Sequence, residues 1–167
     1  MAIINEKLDD IIPSDVFGAE PSTDAGYARE TYTLTLASGD VVYTGRLLIV
    51  DDVERTATLA DATTAIVETN KLAIYYGSDL KTNGEYARSN FEVSFAADGA
   101  NPKGVAITRG DGSGQVYEGF LHLGATTTPA SFYHNWDAAV QKAVRAKLMN
   151  ENRFKLVRTT KPAIAIV

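Results

Sequence analysis

The chain has 167 residues, 45% of them hydrophobic, enough for one core-forming domain with or without a flexible arm, and unlike a disordered chain. A formal charge of −5 disfavours a nucleic-acid partner, because a phosphate backbone is gripped by clustered Lys and Arg. Cysteine is absent, which excludes disulfides, thiolate metal sites and thiol nucleophiles and suits folding in a reducing cytoplasm.

The opening Met-Ala-Ile-Ile-Asn-Glu-Lys-Leu-Asp-Asp has no basic region followed by a long apolar run, so no signal peptide is expected. No stretch approaches about 18 uninterrupted apolar residues, so no membrane partner is expected either. Within residues 1–17 the apolar positions Ile3, Ile4, Leu8, Ile11, Ile12, Val16 and Phe17 allow one or two amphipathic helical turns ended by Pro13. Residues 18–28 are rich in structure breakers and read as a linker. Burying so few side chains does not outweigh ordering the backbone that carries them. The segment 1–28 is therefore expected to be an arm that orders only against the body or a partner, with 29–167 as the β-rich domain.

From Glu30 the pattern changes. Thr31 to Leu36 alternates strictly, with Tyr32, Leu34 and Leu36 on one face and threonines on the other, which predicts a strand. Ala37 to Asp40 is turn chemistry, and Val41 to Val50 predicts one or two strands around Gly45. Further short strands are predicted at Arg55–Ala60, Ala65–Glu68, Leu72–Tyr76, Asn90–Ala96, Val105–Arg109 and Gln115–His122. The clusters between them, such as Asn83-Gly84 and Asp98-Gly99, form turns. Short strands at this spacing predict a compact, mainly β (α+β) barrel or sandwich rather than βαβ units. One helix is predicted, capped by Asn135, with Trp136, Ala139, Val140, Ala143, Val144 and Leu148 as its apolar stripe and Asn150 or Asn152 closing it. Arg153 to Val157 alternates as a last strand, before an apolar tail containing Ile164 and Ile166.

Chemistry is sparse. The two histidines, His122 and His134, lie in no metal-ligand spacing and read as structural, so no metal site and no cofactor are expected. The run Gly110–Gly114 matches neither a phosphate-binding loop nor a calcium loop and reads as a hairpin turn. Arg109-Gly110-Asp111 spells an adhesion tripeptide, but three residues without context carry little. Asp51 and Asp52 with Glu54 and Asp61 offer paired carboxylates of the kind glycosidic cleavage needs about 5–10 Å apart, although acids beside strand ends are commonly just solvated. No catalytic residues are expected.

Three segments together resemble a known family. Tyr27-Ala28-Arg29-Glu30-Thr31-Tyr32-Thr33-Leu34, followed by Ser38-Gly39, resembles the opening strand of the lambda-type head decoration proteins of tailed bacteriophages. Leu72 to Asp79 and Val105 to Gly110 are similar to that family's central strands, and Ala139 to Leu156 to its closing helix and strand. The chain departs from the family at Asn152-Arg153-Phe154, where a Gly-Ile pair is usual, and in a longer middle.

The resemblance implies a homotrimer that sits on the outside of the capsid, bound to the major capsid protein, and cements the expanded head. The chain would then be made in the bacterial host cytoplasm and end in the virion. The arm residues Ile3, Ile4, Leu8, Ile11, Ile12 and Phe17 are the expected capsid contacts, and Tyr32, Leu34, Ile164 and Ile166 are candidate trimer or capsid contacts. Two other classes compete: a tail-tube or tail-completion protein, which would form rings of six, and a carbohydrate-binding or adhesion module suggested by the eight tyrosines and Arg109-Gly110-Asp111.

Overall fold

Apolar residues run almost unbroken along β4 (Leu47–Asp51), β6 (Lys71–Ser78) and β8 (Lys103–Ile107) because these strands are covered on both faces. Successive side chains alternate between two cores. Leu48, Val50, Ala73, Tyr75 and Ala106 point into one cluster, with Tyr32 and Leu34 of β2 (Arg29–Thr35) and Ala57 of β5 (Thr56–Leu59). Leu47, Leu72, Ile74 and Ile107 point the other way, into a second cluster. The computed structural model that shows this describes residues 11, 13–19, 28–37, 39–78, 92–94, 101–126 and 128–158.

The first cluster fills a closed barrel with the order β2-β5-β4-β6-β8. A ring of five strands cannot alternate direction all the way round, so one neighbouring pair must run parallel. Here that pair is β2 and β5, with Thr33 opposite Thr56 and Thr35 opposite Thr58, and the other four pairings are antiparallel. Parallel neighbours cannot be joined by a tight hairpin. The intervening chain supplies β3 (Val41–Tyr43), which pairs with β7 (Glu92–Ser94), and then β4. The chain makes a local turn between β3 and β4 at Gly45, closed by Arg46 N donating to Tyr43 O; the φ of 95° at Gly45 favours glycine, and a Cβ there would stand 2.6 Å from Phe120 O.

The second cluster lies between the outside of the barrel and a second layer. That layer holds the sheet β1-β9-β10, from β1 (Phe17–Ala19), β9 (Gln115–Tyr117) and β10 (Lys155–Val157), and the helix α2 (Ala138–Asn150). The fold is mainly β with one long helix, as the sequence predicts.

The N-terminal segment belongs partly to this body. One turn of helix α1 (Pro13–Val16), with proline at its first position, leads into β1, which pairs antiparallel with β9. Ile11, Val16 and Phe17 are buried in the second cluster. Ile11 and Phe17 are thus core residues of their own domain rather than free to contact a capsid, and the partner that orders residues 13–19 is the body. Ile3, Ile4, Leu8 and Ile12 fall outside the described residues, as do Ile164 and Ile166 of the tail.

Several local expectations are also corrected. Ala65–Glu68 is turn, because Asp61 Oδ1 accepts from the amides of Thr63 (2.9 Å) and Thr64 (2.8 Å) and offers the backbone an alternative to a ladder. The buried Lys147 ammonium then donates to Val67 O and Asn70 O, both at 2.5 Å, and fixes the loop on α2. Asn135 does not cap α2: it closes a single 3₁₀ turn, Tyr133–Asn135, and its Nδ2 donates to Pro129 O. The helix starts later, at Ala138, and buries Val140, Val144, Lys147 and Leu148, while Ala139 is exposed. The predicted strand Gln115–His122 ends at Tyr117, where the 3₁₀ turn Glu118–Phe120 takes over. Gly110–Gly114 is a turn but not a hairpin, since β8 belongs to the barrel and β9 to the second sheet.

The two glycines with similar φ separate strain from collision. Gly39, at φ 89°, has nothing within 4 Å of a built Cβ, so Gly39→Ala should cost only backbone strain, about 1–2 kcal/mol. Gly45→Ala adds a backbone collision and should cost clearly more, read as a larger drop in the urea unfolding midpoint at unchanged slope.

Candidate functional site

At the barrel mouth β2 and β6 begin and β4 ends, close to the stretches that follow β8 and α2. A cleft of about 440 Å³ opens there, lined by Glu30, Val50, Asp52, Lys71, Leu72, Thr108, Arg109, Glu151 and Asn152. Its barrel side is built on one hydroxyl. The ring of Tyr32 is fully buried inside the barrel, and only its polar tip reaches the mouth, where Oη lies 2.7 Å from Asp52 Oδ1 and 2.9 Å from Glu30 Oε2.

Two carboxylates around one phenol are tolerable because each has a cation. Arg55 Nη1 lies 2.8 Å from Glu30 Oε2, and Lys71 Nζ lies 3.2 Å from Asp52 Oδ2. The Arg55 guanidinium also stands 5.5 Å from the centre of the Tyr32 ring. Arg55 occupies this place at φ 57°, a left-handed turn position that glycine or asparagine would hold with less strain. Burial, reinforced by the hydrogen bonds to Asp52 and Glu30, pushes the Tyr32 phenol far above its usual range, and the Tyr32 hydroxyl holds the Asp52 carboxyl below its own.

The acids singled out in the sequence do not act together. Asp51 Oδ1 accepts from the amides of Val53 and Glu54 and shapes the β4–β5 turn, Asp61 shapes the loop at the other end of β5, and only Asp52 faces the cleft. The carboxylate that does accompany Asp52 is Glu30, on a different strand, which the sequence pairing missed. Strict alternation places Glu30 and Tyr32, two residues apart, on the same face of β2, and Glu30, nearer the strand start, meets the Tyr32 hydroxyl at the barrel end.

Tyr32 and Leu34, expected as intermolecular contacts, are fully buried within the barrel and so are not surface residues of this fold. Arg109 and Asp111 pair with each other at 3.7 Å, and Gly110 between them is pressed against Arg153 O and Phe154, where a Cβ would come within 2.7 Å. The tripeptide is therefore tied to the body at Gly110, with the Arg109 side chain about half exposed. His122 is buried; its Nδ1 donates to Phe120 O at 3.1 Å and its ring lies 5.4 Å from that of Phe132. Burial pushes this imidazole down to about 3. His134 is exposed, with its ring edge-on to Tyr133 at 5.6 Å. Among the described residues no three His, Asp or Glu side chains are placed to hold a metal ion, and no helix is long and apolar enough to cross a membrane.

Comparison with protein-family models, with curated proteins and with solved structures finds no match for this chain.

The shifts at the barrel mouth and at His122 set the pH dependence of stability. Asp52 is depressed, so its contribution is present above its unfolded value near 4 and is lost as pH falls through the folded one. Tyr32 is raised, so its contribution is present below about pH 10 and is lost as pH rises beyond it. Tyr32→Phe should therefore cost about 1–2 kcal/mol at neutral pH, less at both extremes, when unfolding midpoints are compared from acid to alkali. His122 binds a proton readily only when unfolded, so stability should also fall from about pH 6.5 towards 3, and His122→Leu should flatten that limb.

Proposed function

We propose that this chain is a structural virion protein that binds the outside of a tailed-phage capsid as a trimer and stabilises the expanded head. The observation that carries the reading is where the family-like segments fall. The described parts of those segments, residues 28–34, 105–110 and 72–78, lie on or beside β2, β8 and β6, which are hydrogen-bonded neighbours in that order in one barrel wall, and 139–156 covers most of α2 and enters β10. Segments scattered along the sequence thus form one contiguous unit.

The N-terminal segment supports the same reading in a revised form. Residues 11–19 are anchored on the body by Ile11, Val16, Phe17 and the β1–β9 pairing, so the part left to reach a coat protein is residues 1–10, with Ile3, Ile4 and Leu8 as its apolar contacts. Three such arms on one trimer act at high effective concentration, so contacts that are weak singly clamp a shell together. Preference for the expanded shell over its precursor would stabilise the expanded form by mass action. The partners are then the major capsid protein and two further copies of the chain, with no cofactor. The protein is made in the host cytoplasm and ends on the virion surface.

The anchor dictates how the reading is tested. Removing 1–28 would strip Ile11, Val16, Phe17 and Ala28 from the core and unfold the body, so the informative truncation removes 1–10 only. Light scattering should give three times the mass of one chain for both forms, and only the full chain should co-sediment with expanded capsids. A ring of six would point to a tail tube instead, and a monomer that ignores capsids would refute the virion reading.

A further inference from the structure

The sheet β1-β9-β10 ends in an open edge. Phe17, Val116 and Leu156 stand opposite one another in its three strands and are all buried, so a row of apolar side chains crosses the sheet and stops at β10. Lys155 N donates to Gly114 O at 2.8 Å, which turns the amides of Lys155 and Val157 towards β9 and leaves the N–H and C=O of Leu156 pointing away from it. Among the described residues no strand lies on that side. The end of α2 borders the same edge, since Phe154 N donates to Leu148 O at 2.9 Å. The next helix residue, Met149, is one of the large apolar side chains that the body exposes, at 43%.

An edge with unpaired backbone donors and acceptors is a template for a further strand. The chain carries a segment of that kind beyond Arg158, the last residue of the described body. Ala163-Ile164-Ala165-Ile166-Val167 is uncharged, apolar throughout and rich in β-branched residues. Alternation puts Ile164 and Ile166 on one face and Ala163, Ala165 and Val167 on the other. The stretch before it, Thr159-Thr160-Lys161-Pro162, contains none of the Gly, Asn or Asp residues that tight hairpin turns use, and its β-branched pair and proline favour extended backbone. A return onto the chain's own β10 is thereby disfavoured. Extended, residues 159–167 would span roughly 30 Å, about the diameter of a small domain, which is the reach needed for a neighbouring copy.

We propose that residues 163–167 of one copy add as a strand to the open edge of β10 in a neighbouring copy. Ile164 and Ile166 then continue the buried row of Phe17, Val116 and Leu156, and Ala163 and Ala165 share the solvent side with Lys155. Each copy gives one strand and receives one, a head-to-tail contact that closes into a ring. The inference rests on the self-association in the virion reading, though not on the capsid.

The chain has no cysteine, so introduced pairs report contacts without background. A full-length chain carrying Lys155→Cys is co-expressed with a tagged full-length chain carrying cysteine at 163, 164, 165 or 166 in turn, and disulfides between the two are read by size on non-reducing gels. Lys155 is exposed, so its replacement leaves the core intact. Links between chains are expected at Ala163→Cys and Ala165→Cys and should be several-fold weaker at Ile164→Cys and Ile166→Cys, the two-residue period of a strand. A single chain carrying both cysteines serves as the control for folding back. No link between chains, equal linking at all four positions, or a link formed only within the doubly substituted chain would overturn the proposal. Light scattering on the same samples separates it from the virion reading: a trimer without these links keeps that reading and removes this inference, and linked rings of six do the reverse.

Discussion

Everything in this fold depends on three strands that bury both faces. β4, β6 and β8 each send alternate residues into the barrel and out of it, so Leu48, Ala73 and Ala106 fill one core while Leu47, Leu72, Ile74 and Ile107 found the other. The second layer has nothing to pack on without them. The barrel in turn is covered on this side by α2, β9 and the N-terminal segment. A slip of one residue in any of the three strands would exchange the two sets of side chains and ruin both cores at once. Register is for this reason heavily constrained, and two small cores behave as one structure.

The same strands show what a sequence makes visible. Alternation in Thr31–Leu36 and the apolar runs of β4 and β6 announce strands, and Val140, Val144 and Leu148 announce the helix face. Alternation says that a strand has two faces; it does not say which neighbour covers each one. Tyr32 and Leu34 could equally have faced another copy of the chain, and the barrel settles them as interior. The parallel β2–β5 pair follows from closing an odd ring, a property of the whole that no segment of sequence carries. Lys147, Arg55 and Asn152 were illegible for a related reason: each acts across 20 or more residues of separation, on carbonyls or carboxylates that composition cannot place. Ala65–Glu68 reads as a strand because apolar residues in a short run outweigh the Asp-x-Thr-Thr turn signal at Asp61–Thr64.

The polar barrel mouth is a counterpart to these cores. Tyr32 belongs to both, with its ring among the barrel residues and its hydroxyl between Glu30 and Asp52. The surrounding ion pairs are partly exposed and individually weak. What they achieve is balance: each of the two carboxylates around one phenol has a cation beside it, and Arg55 holds a left-handed turn position to supply one of them. The cleft beside them inherits a fixed, mixed-charge lining, while the N-terminal segment is secured on a different part of the body, against β9.

The claim that two cores form a single unit, including residues 11–19, is tested most directly by native-state hydrogen exchange. Amides of β4, β6 and β8 should share the slowest rate with those of β9 and β10, and the amides of β1 should approach it, all responding together to added denaturant. Exchange of the β1-β9-β10 sheet at a distinctly lower free energy than the barrel would contradict the account, because it would make the second layer and its N-terminal strand a separable attachment.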